Sequence, residues 1–306
     1  MNSKKSNWLF LTIILVHFAV VAFLLVMGDR IPFGIIANLI VSEGIIIVPA
    51  LFFLFLSGSR RNEILRFHKI KISSAFMIVL FTFLIMPLVT VLNAISMFFT
   101  ENAVVAMQEE ILSVTFPVML FMIGIFGPFC EEFVFRGMVY GGYVKSGSRF
   151  WAILLSALLF GLMHMNFNQA IYAFVIGLML SLLMEATGSL WASMLCHMIF
   201  NSEQVCLMYL STKVLGLMSE QEFENVQMTQ ESLIVALSGY LVIAAVTTPI
   251  AFCVLAWIAK NEGRAEALKQ IWTGRGEKKE YMVTVPLVIA VVLCLAYMSL
   301  EFILLR

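Results

Sequence analysis

The chain has 306 residues, of which 61% are hydrophobic and 12% charged, against roughly a quarter charged in ordinary soluble domains, and its mean hydropathy is +0.99. Lys plus Arg and Asp plus Glu number 19 each, so the balance favours no nucleic-acid partner, and no basic nucleic-acid motif is present. Such a composition belongs to a chain that crosses a lipid bilayer repeatedly, and the predicted fold is all-α, a polytopic bundle of about eight to nine transmembrane helices.

Taken in order, apolar runs near twenty residues lie at Trp8–Met27, Gly34–Leu56, Ser74–Phe99, and from Ile111 into the stretch GPFCEEFVFRGM. Further runs follow at Phe150 to about Asn166, Asn168–Met184, Leu190–Leu210, Leu233–Ala259 and Met282–Leu305. The first follows Lys4 and Lys5 like the start of a signal peptide, but no small-x-small cleavage site succeeds it, so it is read as a retained span. Pro49, Pro87, Pro117, Pro249 and Pro286 fall inside runs and predict kinks. The polar stretch Thr212–Glu231 is expected on the outer surface, and Lys260–Glu280 reads as a solvated connector, although EGRAEALKQIW has an amphipathic pattern.

Lys and Arg crowd cytoplasmic loops. With the N-terminus inside, only Arg30, Lys213 and Arg306 of the 19 basic residues fall outside, and the outer loops are acidic instead. The expected location is a bacterial plasma membrane, multi-pass, with a cytoplasmic N-terminus. The chain divides into N-terminal helices over 1–110, a core over 111–210, and an outer loop with C-terminal helices over 211–306. Cys130, Cys196, Cys206, Cys253 and Cys294 sit in apolar surroundings without a CxxC pair and read as packing residues.

An ionisable side chain at the bilayer centre costs about 2.5 to 3.5 kcal/mol or more and defaults to a functional role. His17 reads as a helix-contact histidine, and Glu185 and Glu301 lie near run ends where water is in reach. Glu43 reads equally as support for a site or as a helix-packing hydrogen bond, outside the catalytic set. Glu132 and Arg136 are one turn apart and can pair, which leaves Glu131, rotated by about 100°, to face elsewhere. Phe160, His164 and Asn168 recur at intervals of four, as do His197 and Asn201.

Depth separates these residues from chance. Glu131 precedes Lys145 by 14 residues and His164 follows Arg149 by 15, which places both roughly 21 to 22 Å from that turn at about 1.5 Å per residue. His197 and Asn201 rise roughly 14 and 20 Å from the turn near Gly188 by the same rule. A carboxylate beside an imidazole in a site shielded from bulk water can activate a water molecule, and a second imidazole with a carboxamide can stabilise an oxyanion. The same Glu131, His164 and His197 could instead ligate zinc. Cysteine catalysis is disfavoured, because Cys196 and His197 are adjacent on a helix and point about 100° apart.

The motifs Glu131-Glu132-x-x-x-Arg136, Phe160-x-x-x-His164 and His197-x-x-x-Asn201, in this order over Gly124–Asn201, resemble those of the CAAX-protease and bacteriocin-processing enzymes, the Abi family of intramembrane proteases. The resemblance implies a membrane-embedded cavity in which Glu131 is the general base with His164, His197 and Asn201 stabilise the oxyanion, and Glu132, Arg136, Phe160 and Asn168 support the site. It also implies a peptide or membrane-protein substrate. Family members have been called metalloproteases, while the eukaryotic Ras-converting branch resembles a metal-free glutamate enzyme, the scheme favoured here. Two other functions remain as alternatives: a non-catalytic immunity or scaffold protein, and an ion-coupled transporter, for which no repeat or paired broken helices are visible.

Overall fold

The structure is a computed structural model that describes residues 1–30, 33–57, 64–100, 102–214, 230–273 and 281–304. Among the described residues it is helical throughout, with no strand. Ten principal helices run in order: α1 Ser3–Met27, α2 Ile35–Leu56, α3 Ile72–Ser96, α4 Phe116–Ser146, α5 Arg149–Met163, α6 Phe167–Thr187, α7 Leu190–Tyr209, α8 Gln230–Asn261, α9 Ala265–Thr273 and α10 Val285–Leu304. Seven of these, all but α5, α7 and α9, contain segments long and apolar enough to cross a membrane. The expected Phe150 to Asn166 run forms the 15-residue α5, and the expected Leu190 to Leu210 run forms α7, whose apolar content is diluted by His197, Asn201, Ser202, Glu203 and Gln204. The stretch Thr212–Glu231 lies mostly outside the described residues.

Burial separates a centre from a periphery. Within their apolar windows, α4 is 56% and α6 61% buried, whereas α1, α2, α3, α8 and α10 range from 17% to 33%. The outer helices turn large side chains such as Leu25, Phe55 and Val235 outward, which costs nothing in a hydrocarbon solvent. The helices α5 and α6 form a tight hairpin because glycines let their backbones meet: a Cβ on Gly161 would stand 2.6 Å from the Ala170 carbonyl oxygen, and one on Gly177 2.9 Å from the Ala157 Cα.

The long α4 is not a uniform helix. Pro128 lies inside it, and π-helical turns at Leu120–Phe126 and Phe133–Tyr140 flank the α-helical stretch Gly127–Glu132. Proline removes the N–H that would bond the carbonyl four residues back. Here α7 supplies donors instead: Asn201 Nδ2 reaches the Ile123 oxygen at 3.2 Å and Ser202 Oγ the Gly124 oxygen at 3.4 Å. This brings α7 so close that a Cβ on Gly124 would lie 2.5 Å from Ser202 Oγ.

The basic loops gather at one end of the bundle. Glu185, expected near water at a run end, is instead 1% exposed. It accepts from Tyr140 Oη at 2.8 Å and faces Arg66 at 3.6 Å, Arg149 at 3.4 Å and Arg264 at 4.0 Å. The Ser3 backbone N–H donates to Ser146 Oγ at 2.7 Å, so the N-terminus lies at this same end. The solvated-connector reading of Lys260–Glu280 is corrected over Ala265–Thr273, which is the amphipathic α9. It buries Ile271, and Arg264 just before it donates Nε–H to the Glu185 carbonyl oxygen at 2.9 Å.

Candidate active site

A cavity of about 770 Å³ opens between α1, α2 and α3 on one side and α4, α5, α6 and α7 on the other. Glu131, Phe160, His164, His197 and Asn201 all line it. The volume falls within the range of about 300 to 1,000 Å³ common for ligand sites.

The two adjacent glutamates separate as their 100° offset requires. Glu132 is fully buried, and its Oε1 lies 2.8 Å from Arg136 Nη1. Glu131 keeps 15% of its side chain exposed, and its Oε2 has no hydrogen-bond partner among the described residues. His197 joins them: Nδ1 is 3.1 Å from Glu132 Oε1 and Nε2 is 3.7 Å from Glu131 Oε2. A carboxylate ion-paired with Arg136 can only accept, so the Nδ1 of His197 carries the proton and Nε2 is the ring atom left toward Glu131.

His164 caps the C-terminus of α5, one residue past Met163. Its Nδ1 bonds the Phe160 carbonyl oxygen at 2.9 Å; a carbonyl accepts only, so this nitrogen is N–H and Nε2 is the ring's free acceptor in the neutral form. Phe160 is 1% exposed and serves as the platform of the site. The Arg136 guanidinium carbon stands 4.2 Å over its ring centroid, and the rings of His164 and His197 meet it edge-on at 5.2 and 5.7 Å. Cation–π and edge-to-face contacts of this kind are worth about 0.5 to 2 kcal/mol each.

Asn168 departs from the expected arrangement. The helix breaks after Met163, Met165 adopts φ 57°, and a new helix begins at Phe167, so the spacing of four from His164 to Asn168 is not one helical turn. Asn168 instead donates to Asn93 Oδ1 at 2.8 Å and Ser96 Oγ at 2.7 Å, accepts from the Ala103 N–H at 3.2 Å, and does not line the cavity. Asn201 lines the cavity while spending one amide hydrogen on Ile123.

The zinc set Glu131, His164 and His197 does not converge. Among the described residues no three His, Cys, Asp or Glu side chains stand close enough together to hold a metal ion. The cysteines do no better as nucleophiles: Cys130 and Cys196 are buried, and the Cys196 thiol is held by Thr82 at 3.2 Å.

One lining residue stood outside the expected catalytic set. Glu43, midway along α2, is 9% exposed, and its Oε2 has no partner among the described residues. Its place in a run of apolar residues was the only signal of its position.

Residues 113–202 match the family described as Rce1-like, type II CAAX prenyl endopeptidase. The likeness to that family is confined to this segment. The candidate membrane peptidase YdiL of Bacillus subtilis (strain 168) is 27% identical over 86 residues, 28% of this chain and 35% of that protein. The membrane-embedded CAAX protease MroQ of Staphylococcus aureus (strain USA300) is 31% identical over 111 residues, 34% of this chain and 45% of that protein. The matched part therefore spans less than half of either relative. No solved structure matches the chain at a significant level. The matched segment contains the buried pair, His164, His197 and Asn201, and excludes Glu43 and all of α1 to α3.

Proposed function

We propose that the protein is an intramembrane endopeptidase that hydrolyses a peptide bond with water activated by Glu131. The observation that carries this reading is the division of labour between the two adjacent glutamates: Glu132 is consumed by Arg136 and His197, while Glu131 lines the cavity, partly exposed, with Oε2 hydrogen-bonded to nothing among the described residues. In the reaction Glu131 takes one proton from water as the oxygen attacks the carbonyl carbon, and His164 Nε2 accepts the other hydrogen to orient it. The remaining amide hydrogen of Asn201 faces the oxyanion beside His197, whose ring Glu132 holds in place through Nδ1. The proton on Glu131 then passes to the leaving nitrogen as the C–N bond breaks, giving an acid and an amine. No step passes through a metal.

In this reading the catalytic core is 111–210, and the flanking helices of 1–110 close the cavity from the other side. The protein is a multi-pass protein of a bacterial plasma membrane with its N-terminus cytoplasmic, a reading supported by the meeting of the N-terminus and the arginines around Glu185 at one end of the bundle. The test is cleavage of membrane peptides by the purified protein in detergent, with Glu131→Ala and His164→Ala compared. Both variants should be inactive; full cleavage by both would sink the assignment.

A further inference from the structure

The cavity holds a second carboxyl that the reaction above does not use. Glu43 is nine-tenths buried, lines the cavity, and leaves Oε2 without a partner among the described residues. Gly127 fixes its place: a Cβ there would stand 3.1 Å from Glu43 Oε1, so the missing side chain is what admits the carboxyl of α2 to the surface of α4. Gly127 and Glu131 share the α-helical stretch Gly127–Glu132, four residues apart and on one face. The Glu43 carboxyl therefore sits about one turn, roughly 5.4 Å, along α4 from the group that activates water.

Comparison with Glu185 shows what is unusual. Both are glutamates buried within the bundle, but Glu185 has a tyrosine hydroxyl and three arginines around it, while no Lys or Arg among the described residues lines the cavity of Glu43. Arg136, the nearest cation in sequence to Glu131, is fully buried and paired with Glu132. A buried carboxyl without counter-charge is costly, and here it belongs to a residue on the wall of the cavity. We propose that Glu43 is a specificity residue that receives a cationic group of the substrate, a Lys or Arg side chain or a free amino terminus, beside the bond cut at Glu131. The substrate is thus an apolar peptide segment bearing a positive charge, since Ile46, Val89, Met122, Ile176 and Phe200 supply apolar walls. A C-terminal carboxylate finds no cation to hold it.

The proposal rests on the peptidase reading, and its test separates the two. One quenched-fluorescence apolar peptide is made with Lys, Gln or Glu at each position in turn, with free or blocked termini, and supplied to the full-length protein in detergent. For the wild type, kcat/KM should be about tenfold higher for the best Lys or free-amine peptide than for its neutral counterpart, and Glu43→Gln should bring that ratio to about one. Blocking the amino terminus distinguishes the two sources of charge. In parallel, the same peptides carrying a fluorescent label are titrated against Glu131→Gln and against Glu131→Gln combined with Glu43→Gln, with anisotropy as the readout. The second variant should bind the cationic peptide about tenfold more weakly. Equal rates for all charges, a preference that survives Glu43→Gln, fastest cleavage of free C-terminal acids, or equal binding by the two variants each overturn the proposal. If the wild type cleaves nothing, the peptidase reading fails, and the binding comparison still decides the role of Glu43.

Discussion

One oxygen of Glu132 serves two partners: His197 Nδ1 approaches Oε1 at 3.1 Å, and Arg136 Nη1 meets the same atom at 2.8 Å. Two helices, α4 and α7, are thereby tied at a single buried point, and the ring of His197 is held with Nε2 toward Glu131. Glu132→Gln should destabilise the protein by about 3 to 5 kcal/mol, the usual result of leaving one member of a buried pair uncompensated. Glu131→Gln should leave thermal stability near wild type while lowering kcat by about 10² to 10⁴. Thermal unfolding in detergent alongside peptide cleavage distinguishes the two, and equal destabilisation by both variants would contradict the assigned roles.

Phe160 contacts Arg136, His164 and His197 through one ring. Phe160→Leu keeps an apolar side chain but removes the cation–π and edge-to-face contacts, worth about 0.5 to 2 kcal/mol each. The expected signature is a fall in kcat with little change in KM, because the imidazoles lose their alignment while the cavity walls remain. A rise in KM alone would place Phe160 in substrate binding instead.

Asn168 offers a sharp contrast, because its side chain clasps the end of α3 through Asn93 and Ser96. Asn168→Ala should cost about 1 to 3 kcal/mol from polar groups left unpaired, with kcat per folded molecule unchanged. A loss of activity in a fully folded sample would return Asn168 to the site.

Glu185 binds the basic end of the bundle together. Glu185→Gln should lower stability by about 1.5 to 3 kcal/mol, the range for hydrogen bonds to a charged group, and the loss should shrink as salt rises, since Arg66, Arg149 and Arg264 are partly exposed. Unfolding midpoints at low and high ionic strength measure this.

The geometry of the imidazoles also bears on metal dependence. With no three ligating side chains converging among the described residues, cleavage should persist through prolonged chelation and gain nothing from added zinc. Loss of activity on chelation, restored by zinc, would require Glu131, His164 and His197 to regroup.

What the amino-acid sequence determined was local or periodic. Runs of apolar residues near bilayer length placed the helices, the spacing of four paired Glu132 with Arg136, and the motif order picked out Glu131, Phe160, His164, His197 and Asn201, all of which line one cavity or its buried support. These features survive folding because a helix preserves its own register.

Only the tertiary structure decided the rest. The break at Met165 turned Asn168 out of the site, the turn before α9 delivered Arg264 to Glu185, and the bare surface of Gly127 admitted Glu43 from α2. In each case the deciding contact joins residues far apart in the chain or depends on a break in helical register, and a hydrocarbon environment rewards such polar contacts wherever packing brings them together. A glutamate in an apolar run is legible as a cost, but whether it meets three arginines or a cavity lined by no Lys or Arg among the described residues depends on the neighbours that the fold supplies.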